Sequence, residues 1–158
     1  QLRSDEQGLV RKNAVIITGC EYKPLESPIQ LEAEFDYLIS VMKDIQDPFE
    51  QAAYIHCNLA YLQYFADGNK RTSRLMQTAV LAHNNLTPVF MRAEEISNYL
   101  KAVIRYYETG DRRSYADLFL RSYRYTIDNL LNRLPEQLED IAEDEKRLQE
   151  ARAKRQKR

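Results

Sequence analysis

Two apolar helical patterns lie on either side of a short polar break, and this arrangement restricts the fold more than any other feature of the sequence. The first pattern runs from Pro48 to the break, and the second leaves the break and runs to about Asn85. The break, residues 66–69 with the sequence Ala-Asp-Gly-Asn, interrupts the helical period because Gly and Asn tolerate backbone angles that other residues avoid. The sequence therefore predicts a helix–loop–helix whose incoming helix, with little polar surface, is central.

Helix-start signals and composition predict an all-α chain. Ser27 before Pro28 and Asp47 before Pro48 each combine a capping side chain with Pro at the first helical position. Gly is scarce at 4 and Pro at 5 of 158 residues, which suits long helices. Further helices are predicted from about residue 93 to a stop at Gly110, and from about residue 115 onward. The inner face of the first of these is expected to carry Ile96, Leu100, Val103, Ile104 and Tyr107.

Charge and cysteine content exclude several function classes. The net charge of −1 gives no bias toward nucleic acid or a membrane surface. The longest apolar runs fall short of the roughly 20 residues that a membrane-spanning helix needs. The cysteines, Cys20 and Cys57, do not make a disulfide framework, so a reducing compartment is expected. Because the chain starts at Gln1 without Met, we interpret it as a fragment.

Residues 14–22 are the one stretch with β character. A short β-branched run, Val15-Ile16-Ile17-Thr18, precedes Gly19 and predicts a small β-hairpin or flap. A short apolar run is ambiguous, however, and an extended segment packed on the helices explains it about as well.

The polar break also has the composition of an anion-binding site. Backbone N–H groups of such a loop, followed by a helix N-terminus, attract phosphate groups. Arg71 and Arg74 are three residues apart and are therefore expected on one face of the outgoing helix. Asp67 could hold Mg²⁺ against phosphate oxygens, because Mg²⁺ in proteins often takes one or two carboxylates plus the phosphates themselves. The residues alone thus predict a nucleotide phosphate site between two helices.

The stretch from Tyr64 to Arg74 resembles the signature of the Fic (Fido) domain family. That signature reads His-Pro-Phe-x-Asp/Glu-Gly-Asn-Gly/Lys-Arg-x-x-Arg, and residues 65–74 here read Phe-Ala-Asp-Gly-Asn-Lys-Arg-Thr-Ser-Arg. The flap of the family is matched by the spacing of Val15, Ile17, Gly19, Tyr22 and Pro24. The resemblance implies a Fic-like helical bundle with a core over residues 1–110, including the flap 14–22 and the signature loop 63–74. It further suggests a packing helix over 111–135 and a charged C-terminal helix or tail over 136–158.

Members of this family transfer AMP from ATP to a hydroxyl side chain of a target protein. By resemblance, Asp67 would hold Mg²⁺, and Gly68 and Asn69 would line the anion hole for the α- and β-phosphates. Lys70 and Arg71 would lie beside these phosphates. The γ-phosphate would be held by Arg74, whose presence favours the AMP-transfer orientation over that of the phosphotransferring toxin Doc. The flap would hold a target peptide by strand addition through residues Val15, Ile16, Ile17 and Thr18.

The chain departs from the family at the catalytic position. The base of the family, a His, is replaced by Gln63, and the Pro after it by Tyr64. An amide does not titrate near neutral pH, so Gln63 cannot act as a general base. His56 is on the same helix face but two turns away, about 10 Å along the axis, which is too far to replace the base. We interpret His56 as a hydrogen-bonded interior residue and His83 as structural or exposed.

Three functions therefore remain open: an impaired Fic-type adenylyltransferase, a nucleotide-binding pseudoenzyme or interaction module, and a phosphotransferase related to Doc. The expected ligands are ATP and Mg²⁺, and the expected partner is a target protein. In many members a Glu followed by Gly or Asn restrains activity. No Glu here has that context, so a missing segment or a regulatory partner would supply it. A homodimer is left open, and the expected location is the cytoplasm or the cytosol of a target cell, as for a toxin-like protein.

Overall fold

Five α-helices account for most of the computed structural model, which describes residues 7–132 and residue 146. The helices are α1 (Pro28–Asp44), α2 (Pro48–Leu62), α3 (Asn69–His83), α4 (Ile96–Thr109) and α5 (Arg113–Thr126). A 3₁₀ turn, Ala93–Glu95, precedes α4, and a π-helical turn, Ile127–Leu131, continues α5. The described residues contain no β-strand, and the all-α prediction is confirmed.

The two helix starts predicted from Pro are both present with their caps. Ser27 accepts a hydrogen bond from the N–H of Gln30 through its hydroxyl at 3.4 Å, and Asp47 accepts one from the N–H of Glu50 at 2.7 Å. These side chains satisfy N–H groups that a helix leaves free in its first turn. Gly110 ends α4 in the left-handed conformation, as its position predicts.

Helix α2 lies at the centre of the bundle and packs against α1, α3, α4 and α5. Its buried residues cover most of its circumference: Ala52, Ala53, Ile55, His56, Cys57, Leu59, Ala60 and Leu62. The antiparallel neighbour α3 follows after only six residues and makes the most extensive contact with it. Because the interhelical loop is this short, its backbone is held at the end of a buried helix, and this places the candidate site on a rigid base.

The buried face of α4 differs from the prediction. Ile96 and Leu100 are 51% and 41% exposed. The helix instead buries Tyr99, Ala102, Val103 and Tyr107. Val103 and Tyr107 were predicted on the inner face and are buried there, whereas Tyr99 and Ala102 are buried in place of Ile96 and Leu100. No described helix has the length and apolar character to cross a bilayer.

Residues 14–22 are extended and turn at residues 18–20, without the paired strands of a β-hairpin. Ile17, Cys20 and Tyr22 pack against the helical core. The Tyr22 ring stacks on Tyr61 of α2 at 4.2 Å, and its hydroxyl donates to the Tyr61 carbonyl at 3.0 Å. Side chains anchor this segment on the bundle, which is the alternative of an extended segment packed on the helices. The predicted C-terminal helix or tail over 136–158 lies outside the described residues, except for the exposed Lys146.

Candidate nucleotide site at the α2–α3 loop

Two left-handed residues delimit the loop between α2 and α3. Gln63 ends α2 with a φ of 50°, and Gly68 precedes α3 with a φ of 84°. A Cβ at Gly68 would meet the guanidinium of Arg71 at 3.5 Å, an ordinary contact, so the need for glycine there is conformational. At Gln63 a non-glycine residue is held in an uncommon conformation, which persists only where its surroundings impose it.

Asn69 is the residue that fixes the loop from inside. Its buried amide accepts from the N–H of Phe65 at 2.8 Å and donates to the Phe65 carbonyl at 2.8 Å. It also donates to the side-chain oxygen of Gln63 at 3.3 Å. The Asn69 side chain thereby satisfies both the N–H and the carbonyl of Phe65. N–H groups elsewhere in the loop can face the solvent and remain available to a ligand.

We expect Asn69→Ala to lower the free energy of unfolding by about 1–3 kcal/mol, because Phe65 and Gln63 would lose buried hydrogen-bond partners. Asn69→Asp keeps the acceptor for the Phe65 N–H and should lose less than Asn69→Ala. Urea unfolding of both variants measures the difference, and equal losses would contradict the assigned role.

The side chain of Gln63 is almost fully buried, and both its amide nitrogen and its amide oxygen form hydrogen bonds within the protein. Its amide nitrogen donates to the Ala60 carbonyl at 2.6 Å, and its oxygen accepts from Asn69. A neutral amide held in this way can orient a neighbouring group but can accept no proton at neutral pH. Gln63 therefore has a structural hydrogen-bond role in this loop.

Asp67 and Arg71 form an exposed ion pair at the mouth of the loop. The Asp67 carboxylate accepts from Arg71 at 2.9 Å and from the N–H of Gly68 at 2.6 Å. A pair this exposed is typically worth less than about 1 kcal/mol, so either member can exchange its partner for a ligand. Among the described residues no group of three or more His, Cys, Asp or Glu gathers around a point. A single carboxylate suits Mg²⁺ that takes its other ligands from phosphate and water.

A cavity of about 390 Å³ lies between this loop and the flap. Val15 and Ile16 form one wall, and Gln63 with residues 66–71 forms the other. The structure therefore brings together Gly68, Asn69, Lys70 and Arg71, as the sequence analysis expected for a phosphate site. A second groove of about 690 Å³ runs along the flap itself and includes Ile17 but not Thr18.

Arg74 lies apart from these residues. It does not line the 390 Å³ cavity, and its guanidinium carbon is 5.7 Å from the centre of the Tyr99 ring on α4. Arg71 and Arg74, predicted to share one face, therefore have different partners here. Arg74 is exposed, and a cation–π contact at an exposed site is worth about 0.5–1 kcal/mol, so only a small energy opposes a change of its rotamer.

His56 is buried as expected, but its surroundings differ from the prediction. The ring stacks on Tyr115 at 4.4 Å, and neither ring nitrogen has a hydrogen-bond partner among the described residues. Burial, and secondarily the charge of Arg74, lowers the pKa of His56 to about 3, with a weaker opposing effect from the Ser73 backbone. It is therefore a neutral core residue at physiological pH and not a substitute base.

Arg11 is a site residue that the sequence analysis missed. It is 2% exposed, and its side chain donates to the backbone carbonyl of Gln63 at 2.6 Å. It lies in a polar stretch without periodicity, so no sequence pattern indicated its burial.

Comparisons with known proteins identify the family of the chain. The profile described as the Fic/DOC family matches residues 1–81. The chain is 34% identical to a Nematostella vectensis protein named "Protein adenylyltransferase Fic" over 80% of this chain and 30% of that protein. It is 27% identical to a protein of the same name from Drosophila willistoni over 89% of this chain and 29% of that protein. The chain thus spans less than a third of the length of these relatives.

Solved structures show the same fold. "Fic-1 (aa134 - 508) from C. elegans" superposes with a TM-score of 0.70 at 22% identity, covering 84% of this chain and 39% of that one. A Fic domain containing signaling protein from Bacteroides thetaiotaomicron gives a TM-score of 0.54 at 23% identity, covering 73% of this chain and 47% of that one. With a family profile over half the chain and relatives from two animal phyla, the chain belongs to the Fic/DOC family.

Proposed function

We propose that this chain is the catalytic domain of a Fic-type protein adenylyltransferase in which the proton-accepting group has been lost. The observation that carries the proposal is the cavity between loop 66–71 and the flap. It joins Gly68, Asn69, Lys70 and Arg71 to the segment expected to hold a target. The names of the relatives support AMP transfer as the reaction.

The phosphates of ATP would lie on the N-terminal end of α3. The N–H groups there and the cations of Lys70 and Arg71 provide positive charge, and the helix dipole adds to it. Arg71 would leave Asp67 for a phosphate, which is a small cost for an exposed pair. Asp67 would then be free to hold Mg²⁺, which when bound neutralises charge on the phosphates. Arg74 would reach the γ-phosphate after leaving Tyr99.

In the transfer, the hydroxyl oxygen of the target forms a bond to the α-phosphorus while the bond from that phosphorus to the pyrophosphate oxygen breaks. The hydroxyl proton must leave, and Gln63 cannot take it. It would pass to water or to a phosphate oxygen. Positioning and electrostatic stabilisation would remain, and these supply most of the catalysis in phosphoryl transfer.

The flap would hold the target beside the α-phosphate. Ile16 is 94% exposed next to the cavity, and residues 14–17 are extended with backbone groups outside any sheet. An added peptide strand would use these groups for main-chain hydrogen bonds. The hairpin form expected for the flap would then arise only with the target bound.

A second function, nucleotide binding without efficient transfer, is favoured by one observation. The side chain of Gln63 is hydrogen-bonded within the protein at both ends, and an amide offers no base to the attacking hydroxyl. In that case the protein would still bind the phosphates of the nucleotide but would no longer transfer AMP efficiently.

Isothermal titration calorimetry with ATP and Mg²⁺ tests the site common to both functions. We expect binding that weakens roughly tenfold to a hundredfold in Arg71→Ala and in Arg74→Ala, because each would lose a charge-assisted contact to phosphate. Arg124→Ala, a surface arginine on α5, is the matched control and should bind like the wild type. The proposal fails if the wild type binds no ATP or if both site variants retain full affinity.

A further inference from the structure

The buried guanidinium of Arg11 joins the two ends of the flap to the end of α2. It donates to the carbonyl of Gln63 at 2.6 Å, to the carbonyl of Asn13 at 2.8 Å and to the carbonyl of Leu25. The backbone N–H of Arg11 also donates to the carbonyl of Tyr64 at 3.0 Å. Three of these acceptors are separated from Arg11 by 14 or more positions in the chain, so these hydrogen bonds form only when the tertiary structure forms.

The carbonyls of Asn13 and Leu25 bracket residues 14–24, which include the whole flap, residues 14–22. One planar guanidinium thus closes the flap into a loop at its base, in the way that a cross-strand ladder would have closed a hairpin. This explains how an extended segment without paired strands keeps a defined position. Only an arginine has donors fixed in several directions of one plane, whereas lysine presents a single nitrogen.

The same group also lies at the C-terminal end of α2. The carbonyls of Gln63 and Tyr64 directly follow the last residue of that helix. A cation is favoured there because the helix dipole leaves negative charge at its C-terminus. The charge of Arg11 is buried, but it is surrounded by carbonyl oxygens that compensate it, and the left-handed turn at Gln63 is held by the bond to its own carbonyl.

We propose that Arg11 is a positioning residue that sets the separation between the flap and loop 66–71. Val15 and Ile16 follow it by a few residues and form one wall of the cavity, while Gln63 begins the other wall. Because one side chain holds both walls, a change at Arg11 alters the width of the cavity without touching the ligand. The effect on nucleotide binding rests on the proposed function; the anchoring of the flap does not.

The two cysteines provide a direct test. Cys20 lies in the flap and is half-buried against the core, whereas Cys57 lies inside α2 at 1% exposure. Burial also raises the pKa of the Cys57 thiol to about 12, so it is unreactive in the folded protein. The rate of iodoacetamide labelling at Cys20 therefore measures release of the flap, and labelling at Cys57 measures unfolding of the bundle.

In Arg11→Met we expect labelling of Cys20 to accelerate about tenfold or more, as local opening becomes easier, with Cys57 remaining unlabelled. Arg11→Lys keeps the positive charge but not the planar guanidinium with its several donors. We therefore expect a Cys20 labelling rate between those of the wild type and Arg11→Met. Lys12→Met, which removes the exposed neighbouring cation, is the matched control and should label like the wild type. If Arg11→Met does not fold, the labelling rate of Cys20 in Arg11→Lys, compared with that in the wild type, decides whether Arg11 anchors the flap.

An unchanged Cys20 rate in the Arg11 variants would overturn the proposal. So would parallel increases at Cys20 and Cys57, since these would mean that Arg11 supports the whole bundle. Calorimetry with ATP on the same preparations should show weaker binding in Arg11→Met than in Lys12→Met, and equal affinities would overturn the link to the cavity. If the wild type binds no ATP, the proposed function fails, while the labelling rates still decide whether Arg11 anchors the flap.

Discussion

Gln63→His is expected to raise the rate of AMP transfer by about 10²–10⁴-fold, the usual contribution of a positioned general base. The imidazole would lie at the wall of the cavity that faces the flap, where the proposed function requires a base. A histidine there can accept the proton of the attacking hydroxyl near neutral pH, which an amide cannot.

The backbone at residue 63 suits this replacement. Its φ of 50° is left-handed, a region in which histidine occurs several-fold more often than most residues, so the variant should fold without added strain. The bonds from the Gln63 amide to the Ala60 carbonyl and from Asn69 to the Gln63 side-chain oxygen would be lost, at a net cost of about 1 kcal/mol each. The bond from Arg11 goes to the backbone carbonyl and remains.

Transfer of label from α-labelled ATP to proteins of a cell lysate measures the gain. Gln63→Ala is the control, since it removes the amide without supplying a base, and it should transfer no faster than the wild type. If Gln63→His transfers label no faster than Gln63→Ala, the absence of a base is not what limits the rate of AMP transfer by this protein. Measurable transfer by the wild type would instead indicate an enzyme that manages without this base.

The second large effect is a loss of stability in acid that depends on His56. Its pKa is held at about 3 in the folded protein by burial and by the nearby charge of Arg74, against about 6.5 in the unfolded chain. The unfolded chain therefore binds a proton that the folded protein excludes as the pH falls below 6.5. Stability is complete above that value and is lost progressively toward pH 3.

Between pH 7 and pH 4 this one residue should reduce the free energy of unfolding by about 3 kcal/mol, a large share of the stability of an ordinary domain. His56→Gln is similar in volume and cannot titrate, so its stability should fall less steeply over that range. The other histidine, His83, is exposed, and His83→Gln should follow the wild type.

Urea unfolding at pH 7, 5.5 and 4 measures these slopes. Because the carboxylates contribute to all three proteins alike, the difference between His56→Gln and His83→Gln isolates the buried ring. Parallel pH dependence in the two variants would mean that His56 is protonated as readily in the folded protein as in the unfolded chain.

Features that depend on nearby residues could be predicted from the sequence. The starts of α1 and α2 follow from a capping side chain and a Pro within one turn, and the break between α2 and α3 follows from Gly68 and Asn69. Such signals act between residues one to four positions apart and need no knowledge of the fold. The family resemblance rests on the same short stretch, and the family profile confirms it.

Features that depend on distant partners were missed, left open or predicted wrongly. For residues 14–22 both a hairpin and an extended packed segment were open, and packing on α2 together with the guanidinium of Arg11 holds the segment without paired strands. The apolar spacing of α4 correctly predicted that Val103 and Tyr107 are buried, but it did not indicate that Tyr99 would be buried in place of Ile96 and Leu100.

The sequence by itself determined the helices, their caps and the loop between α2 and α3, since these arise from local hydrogen bonds and backbone preferences. Only the tertiary structure decided how the loop is held, where Arg74 lies and how the pKa of His56 is set. The partners of Arg11, Arg74 and His56 come from distant parts of the chain: Leu25, Gln63, Tyr99 and Tyr115. Desolvation and long-range hydrogen bonds exist only once these segments have packed together.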